Sequence, residues 1–194
     1  MPPPGMSIVA GPPGAGKTTV FPLREFADRV FNADDRAADL NGGSYRAIPL
    51  TVRQQVNREF EIFVRDNIAA HKSFALETTF RSAITFEQAK LAKSFGFRVL
   101  MTHVSLDTFE RHLERVKGRA LRGGHAASAT TLRRIYESSL ANLPTALDPA
   151  ASGSVESAFS TTRVLSKPQS SRWRRGTGRS LVLRTISQPG FGRR

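Results

Sequence analysis

Residues Gly11, Pro12, Pro13, Gly14, Ala15, Gly16, Lys17 and Thr18 satisfy the pattern G-x-x-x-x-G-K-[ST] in full, and Thr19 follows directly. Each fixed position has a chemical reason. Glycines let the backbone turn its N–H groups inward around phosphate oxygens, where a side chain would block the approach. A helix starting at the last glycine presents its positive end to the same anion. The Lys17 ammonium can bridge β- and γ-phosphates, and the Thr18 hydroxyl can ligate Mg²⁺. The pattern points to ATP or another nucleoside triphosphate at residues 11–19 and leaves open what receives the phosphoryl group. The bland alternative is a Gly-rich turn that merely joins strand to helix. The apolar run Ser7-Ile8-Val9-Ala10 just before the motif argues against it.

Transfer to a small acceptor further needs a base and a cationic lid that excludes water. Asp34 and Asp35 follow the apolar segment Arg29–Ala33, and either could take the proton of an attacking hydroxyl or simply cap the next helix. Glu77 closes the segment Ser73–Leu76. It could hold a substrate hydroxyl or a Mg²⁺-bound water, or be a solvated strand end. Thr78, Thr79 and Arg81 adjoin it as weaker substrate-binding candidates. Arg115, Arg119, Arg122, Arg133 and Arg134 surround the Gly123-Gly124 turn. Arginines on a closing loop stabilise charge spreading over the equatorial oxygens, and Arg122 beside the paired glycines is the strongest candidate. A solvated helix face accounts for some of the five. His125 is a contact to nucleotide or substrate, or a structural hydrogen bond. A GTP switch would carry an Asn-Lys-x-Asp segment, which is absent, and a motor ATPase normally needs a longer chain.

These side chains need a sheet edge to bring them together. Ser7–Ala10 reads as a buried parallel strand, followed by a helix from about Gly16 that tolerates Pro22 near its first turns. Arg29–Ala33 reads as a second strand and Asn41–Ser44 as a loop. Thr51 is expected to cap a long helix with Val52, Val56, Phe60, Phe63, Val64 and Ile68 at helical spacing. A third strand spans Ser73–Leu76, a helix Ser82–Phe95 stops at Gly96, and a fourth strand spans Phe97–Val104. Asp107 is expected to cap the helix carrying Phe109, Leu113 and Val116, and Thr130 or Thr131 to start another. The alternation predicts an α/β fold: a P-loop three-layer sandwich around a mostly parallel sheet, nucleotide-kinase-like, with the candidates at its carboxyl edge.

With 194 residues the chain suits one such domain. The formal charge is +13, but residues 149–194 hold nine basic residues against one acid, so the excess is concentrated there. The chain divides into a domain over residues 1–148 and a basic tail over 149–194. In the tail Ser, Arg, Gly and Pro dominate, poor order is expected beyond about Ala150, and only Arg163–Leu165 and Leu181–Leu183 resemble strands. Zero cysteines exclude a disulfide scaffold, a thiol nucleophile and thiolate-held metals. No apolar run approaches a membrane span and the start has no signal-peptide pattern, so a cytoplasmic, soluble protein is expected.

The ensemble resembles the zeta-toxin family of P-loop kinases, in its short stand-alone branch. The matching pieces are Ile8–Thr19, Phe31-Asn32-Ala33-Asp34, Phe74–Thr79, Arg122-Gly123-Gly124-His125 and Ser139–Pro144, in order over about residues 6–148. The resemblance implies a kinase that uses ATP and Mg²⁺ to phosphorylate a sugar hydroxyl of UDP-N-acetylglucosamine, and a small antitoxin protein as partner. It implies Lys17 and Thr18 as nucleotide and metal residues, Asp34 as catalytic base, Glu77 as substrate contact, and Arg115 and Arg122 as lid arginines. Branch members continue after the Asn-Leu-Pro helix with an apolar fifth strand. Residues 150–155 give no such strand, which suggests a reading-frame change near position 149 and a sheet lacking its last strand. Two other readings stand beside the kinase: a catalytically dead ATP-binding remnant, and a nucleic-acid binder using Trp173 among Arg172, Arg174 and Arg175.

Overall fold

Both faces of the first apolar run are buried. Met6, Ile8 and Ala10 enter one core cluster and Val9 another. A strand covered on both sides belongs at the centre of a parallel sheet, and the computed structural model, which describes residues 2–121, 127–147, 156–161 and 181–185, places it there. Strands β1 (Gly5–Ala10), β2 (Val30–Asn32), β3 (Phe74–Thr78), β4 (Arg98–Ser105), β5 (Glu156–Thr161) and β6 (Leu181–Thr185) form one sheet in the order β2-β3-β1-β4-β5-β6. Neighbours are parallel except for β5 and β6, which are antiparallel. The helices are α1 (Lys17–Val20), α2 (Ala33–Leu40), α3 (Leu50–Ala69), α4 (Ile84–Ser94), α5 (Phe109–Leu121), α6 (Ala129–Ala141) and α7 (Leu143–Leu147). On one face of the sheet, Val64 and Ile68 of α3 join Phe86, Ala89 and Ala92 of α4 over Ile8, Leu76 and Met101. On the other, Ala15 and Leu23 cover Val9, Ala75 and Val104. No described helix is long and apolar enough to cross a membrane.

Several boundaries differ from the sequence expectation, each for a local reason. The helix after the glycine motif ends at Val20 rather than running through Pro22. The residue before a proline is pushed out of the helical region, and Phe21 sits at φ −135°, ψ 75°. The long helix starts at Leu50 behind Pro49, so Thr51 lies inside it and caps nothing. In α5 the first turn is capped by Thr108, whose Oγ1 accepts from the Arg111 N–H at 3.4 Å, while Asp107 pairs with the Arg111 guanidinium at 3.3 Å. In α6 the cap is Ser128, which accepts from the Thr131 N–H at 3.1 Å, rather than Thr130 or Thr131.

The larger correction concerns the sheet's far side. β5 pairs with β4 from Leu100↔Glu156 to Ser105↔Thr161, so the sheet does have a strand after the Asn-Leu-Pro helix, and Leu181–Thr185 adds another. The segment Glu-Ser-Ala-Phe-Ser-Thr carries little apolar signal. What it gains is backbone pairing, because an unpaired edge of β4 offers a row of donors and acceptors whatever the side chains are. Residues 149–155, Arg163–Leu165 and the Trp173 segment lie outside the described residues.

His103, on β4, is buried against the ring of Phe80 (centroids 5.7 Å apart), and its Nε2 meets Ser139 Oγ of α6 at 3.2 Å. Burial, with the charges of Lys17 and His112 adding to it, pushes its pKa down to about 4. The unfolded chain, with an ordinary histidine near ~6.5, takes up a proton that the folded chain refuses. Stability contributed by a neutral His103 is therefore complete above about pH 6.5 and is lost as pH falls toward about 4. Replacing His103 by Gln should flatten the pH dependence of the unfolding free energy from urea melts in this window, by up to ~3 kcal/mol on the ~1.4 kcal/mol-per-unit conversion. An unaltered slope would contradict the assignment.

Candidate active site

The site begins where β1 stops. Beyond Ala10 the chain turns at Gly11, with φ 140°, where a Cβ would run into the Val104 carbonyl oxygen of β4. Gly14, with φ 79°, passes so close to α5 that a Cβ would lie 2.6 Å from the His112 carbonyl oxygen. Only glycine fits either position, which is why the loop can wrap so tightly on the sheet edge. Gly11, Pro12 and Ala15 form the buried back of this loop, while Pro13, Gly14, Gly16, Lys17, Thr18 and Thr19 face a cavity.

His112 fastens the loop from behind. Its Nδ1–H donates to the Pro13 carbonyl at 2.9 Å, and its Nε2 accepts the Leu106 N–H at 3.0 Å. These partners fix the neutral tautomer, and burial pushes the ring's pKa down, the Pro13 hydrogen bond opposing. A lone histidine inside a helix gives no sequence signal for this role, and the sequence reading missed it.

Lys17 is buried at the start of α1. Its Nζ donates to the Gly11 carbonyl at 2.8 Å and the Pro12 carbonyl at 3.2 Å, and lies 3.5 Å from Glu77 Oε1. Burial lowers its pKa from the ordinary lysine value, with Glu77 and then Asp34 pulling it back up. Thr18 Oγ1 donates to Glu77 Oε2 at 3.0 Å. The register explains the meeting: Glu77 of β3 stands opposite Val9 and Asn32, so it ends level with the phosphate loop on one side and with β2 on the other. Glu77 thus faces the loop's lysine and threonine.

Asp34 sits two residues past the Asn32 cap of α2, whose Oδ1 accepts from the Asp34 N–H at 3.0 Å and the Asp35 N–H at 3.3 Å. Asn32, not either aspartate, supplies the cap, which leaves the Asp34 carboxyl in the cavity wall. Asp35 instead accepts from the Tyr45 hydroxyl at 2.8 Å and is not part of that wall.

The cavity measures about 1150 Å³. Thr78, Thr79 and Arg81 line it beyond Glu77, and so do Arg115 and Arg119 of α5. Arg115 reaches over the loop, its Nη1 donating to the Ala15 carbonyl at 3.3 Å. Arg133 is drawn elsewhere: it lies 4.1 Å above the Phe109 ring and 3.5 Å from Glu110. Arg134 is exposed and outside the wall. Arg122, Gly123, Gly124 and His125 lie outside the described residues. Arg53, Asn57 and Glu61, one residue per turn of α3, also line the cavity, beside the apolar Val56 and Phe60 of the same helix. Their spacing of four was readable in the sequence, but only the apolar face of that helix drew notice.

Among the described residues no three His, Cys, Asp or Glu side chains converge as a metal cage. The oxygens present, Thr18 Oγ1 and the Glu77 carboxylate, suit a hard cation that arrives with substrate phosphates and keeps its waters.

Replacing His112 by Phe keeps ring volume and strands the Pro13 carbonyl and the Leu106 N–H. It should cost about 2–3 kcal/mol in a urea melt and weaken binding of a fluorescent ATP analogue. Unchanged affinity would show that the loop holds its shape without the histidine.

No family model matches the chain. A Haemophilus influenzae protein described as uncharacterized is 26% identical over 127 residues, 65% of this chain and 88% of its own length. Among solved structures, one from the PezAT chromosomal toxin–antitoxin system of Streptococcus pneumoniae superposes with a TM-score of 0.60 at 16% identity, covering 84% of this chain and 69% of that one. A chain of the AvrRxo1-ORF1:ORF2 complex gives 0.64 at 15% identity, over 82% of this chain and 55% of its own. A candidate kinase from Chloroflexus aurantiacus gives 0.54 at 18%, over 71% and 78%. Phosphate loop, strand order and these superpositions agree: the chain has an α/β P-loop fold, a mostly parallel sheet between helices, like that of these toxin–antitoxin and kinase structures.

Proposed function

We propose that the chain is an ATP- and Mg²⁺-dependent phosphotransferase that moves the γ-phosphoryl group onto a hydroxyl of a small acceptor. One observation carries this reading. A single cavity of about 1150 Å³ has the Lys17-Thr18-Glu77 cluster in one part of its wall and Asp34 with the polar row of α3 in another. That volume exceeds the ~300–1,000 Å³ usual for one small ligand, as a two-substrate site requires.

In this reading the loop N–H groups and Lys17 hold the triphosphate, and Thr18 and Glu77 hold the metal, which neutralises phosphate charge when bound. Asp34 takes the acceptor hydroxyl's proton as that oxygen bonds to the γ-phosphorus and the bond to the ADP oxygen breaks. Arg115 and Arg122 stabilise the charge on the transferring group, and Thr78 and Arg81 hold the acceptor. The acceptor class carried over from the zeta-toxin resemblance is a nucleotide sugar such as UDP-N-acetylglucosamine. The solved structures above include toxin–antitoxin assemblies, which supports an antitoxin protein as partner, and the reaction belongs in the cytoplasm, where ATP is.

The test is transfer of labelled γ-phosphate to a panel of nucleotide sugars. Lys17→Ala should lower transfer ~10²–10³-fold, as loss of one preorganised charge contact does. Asp34→Asn should keep ATP affinity and lose ~10²–10⁴-fold in transfer. Asp35→Asn should be mild, since that carboxylate is engaged by Tyr45. Near-normal turnover by Lys17→Ala would reject the phosphate-loop assignment, and a larger loss in Asp35→Asn would move the base to that residue.

A further inference from the structure

Three non-glycine residues among those described have positive φ: Ala47, His71 and Phe80. Ala47 and His71 are exposed, but Phe80 is fully buried. A bulky residue in the left-handed region is held there by its surroundings, and such positions gather at functional sites. Phe80 lies between cavity residues Thr79 and Arg81 while its own ring points away from them into the core. The ring packs edge-on against Phe86, centroids 5.1 Å apart, and against His103. The left-handed turn is what lets Thr79 and Arg81 both face the cavity with Phe80 anchored behind.

Two hydrogen bonds hold this turn. The Phe80 N–H donates to Thr78 Oγ1 at 3.1 Å, within the turn itself. The Phe80 carbonyl accepts from Asn142 Nδ2 at 2.9 Å, sixty-two residues along the chain. Asn142 is well placed for this: its backbone ends α6, with its N–H donating to the Ser138 carbonyl, and its carbonyl receives the Ala146 N–H in α7. The main chain is fully engaged, and the side chain projects to the β3–α4 turn.

We infer that Asn142 is a positioning residue for the acceptor. By clamping the Phe80 carbonyl it sets the turn that aims Thr79 and Arg81 into the cavity. It touches neither the phosphate loop nor, in this account, any substrate. The inference rests on the phosphotransferase reading for its kinetic consequence and on the structure alone for the clamp.

The test therefore has two arms. Hydrogen exchange of residues 78–82 in the full chain should quicken about 5–10-fold in Asn142→Ala, the worth of one such hydrogen bond. Exchange in the phosphate loop and affinity for an ATP analogue should stay at wild-type levels. Asn142→Gln, which keeps an amide donor on a longer arm, should fall between. With UDP-N-acetylglucosamine, or whichever nucleotide sugar of the panel accepts phosphate, Asn142→Ala should raise the acceptor KM by about the same factor and leave kcat and the ATP KM unchanged. Unchanged exchange at 78–82 would overturn the clamp. Faster exchange spread through the sheet, or faster local exchange with an unchanged acceptor KM, would make Asn142 merely structural and overturn the positioning role. If no nucleotide sugar accepts phosphate from the wild type, the phosphotransferase acceptor is misassigned, and the exchange arm still decides the clamp.

Discussion

A buried ammonium organises this molecule. Lys17 is withdrawn from water at the end of the central strand, and a lone charge there would be costly. Its partners are two carbonyls of its own loop and the Glu77 carboxylate, with the Asp34 charge nearby. Each partner is set by a constraint elsewhere. The carbonyls depend on a loop conformation that Gly11 and Gly14 alone can take. Glu77 depends on β3 pairing with β1 in a register that brings it level with the motif. In the proposed reaction, phosphate oxygens take over from the loop carbonyls, so the site is charged and aligned before ATP arrives.

From that point the fold spreads positioning outward through single contacts of long sequence separation. His112 ties α5 to the loop's Pro13 carbonyl, and Asn142 ties the α6–α7 junction to the turn after Glu77. Both use a side chain to satisfy a carbonyl in an irregular segment, where no ladder can. The strand order puts β2 and β1 on either side of β3, so Asp34 and Lys17 flank Glu77 across one cavity.

The legible part of this was the part encoded locally. The glycine motif fixes loop chemistry by spacing, and the alternation of strands and helices fixes the parallel sheet. Asp34 and Glu77 could be placed at one edge because each lies close to the carboxyl end of a strand, Asp34 just past β2 and Glu77 next to last in β3. His112 and Asn142 act through partners far along the chain, and nothing beside them announces it. Helix starts went astray by a residue or two because neighbouring Ser, Thr and Asp compete for the same cap, as Thr108 and Asp107 do. β5 was invisible for a different reason: it is held by backbone pairing to β4, and its composition carries little apolar pattern.

In the proposed reaction the phosphate loop binds the triphosphate, and its lysine is held in reserve by the loop's own carbonyls until then. A crystal structure of the chain with Mg²⁺ and a non-hydrolysable ATP analogue tests it most directly. Lys17 Nζ should leave the Gly11 and Pro12 carbonyls for the triphosphate, with the terminal phosphate facing the Asp34 part of the cavity. An analogue bound elsewhere, or one bound at the loop with Lys17 still on those carbonyls, would contradict it.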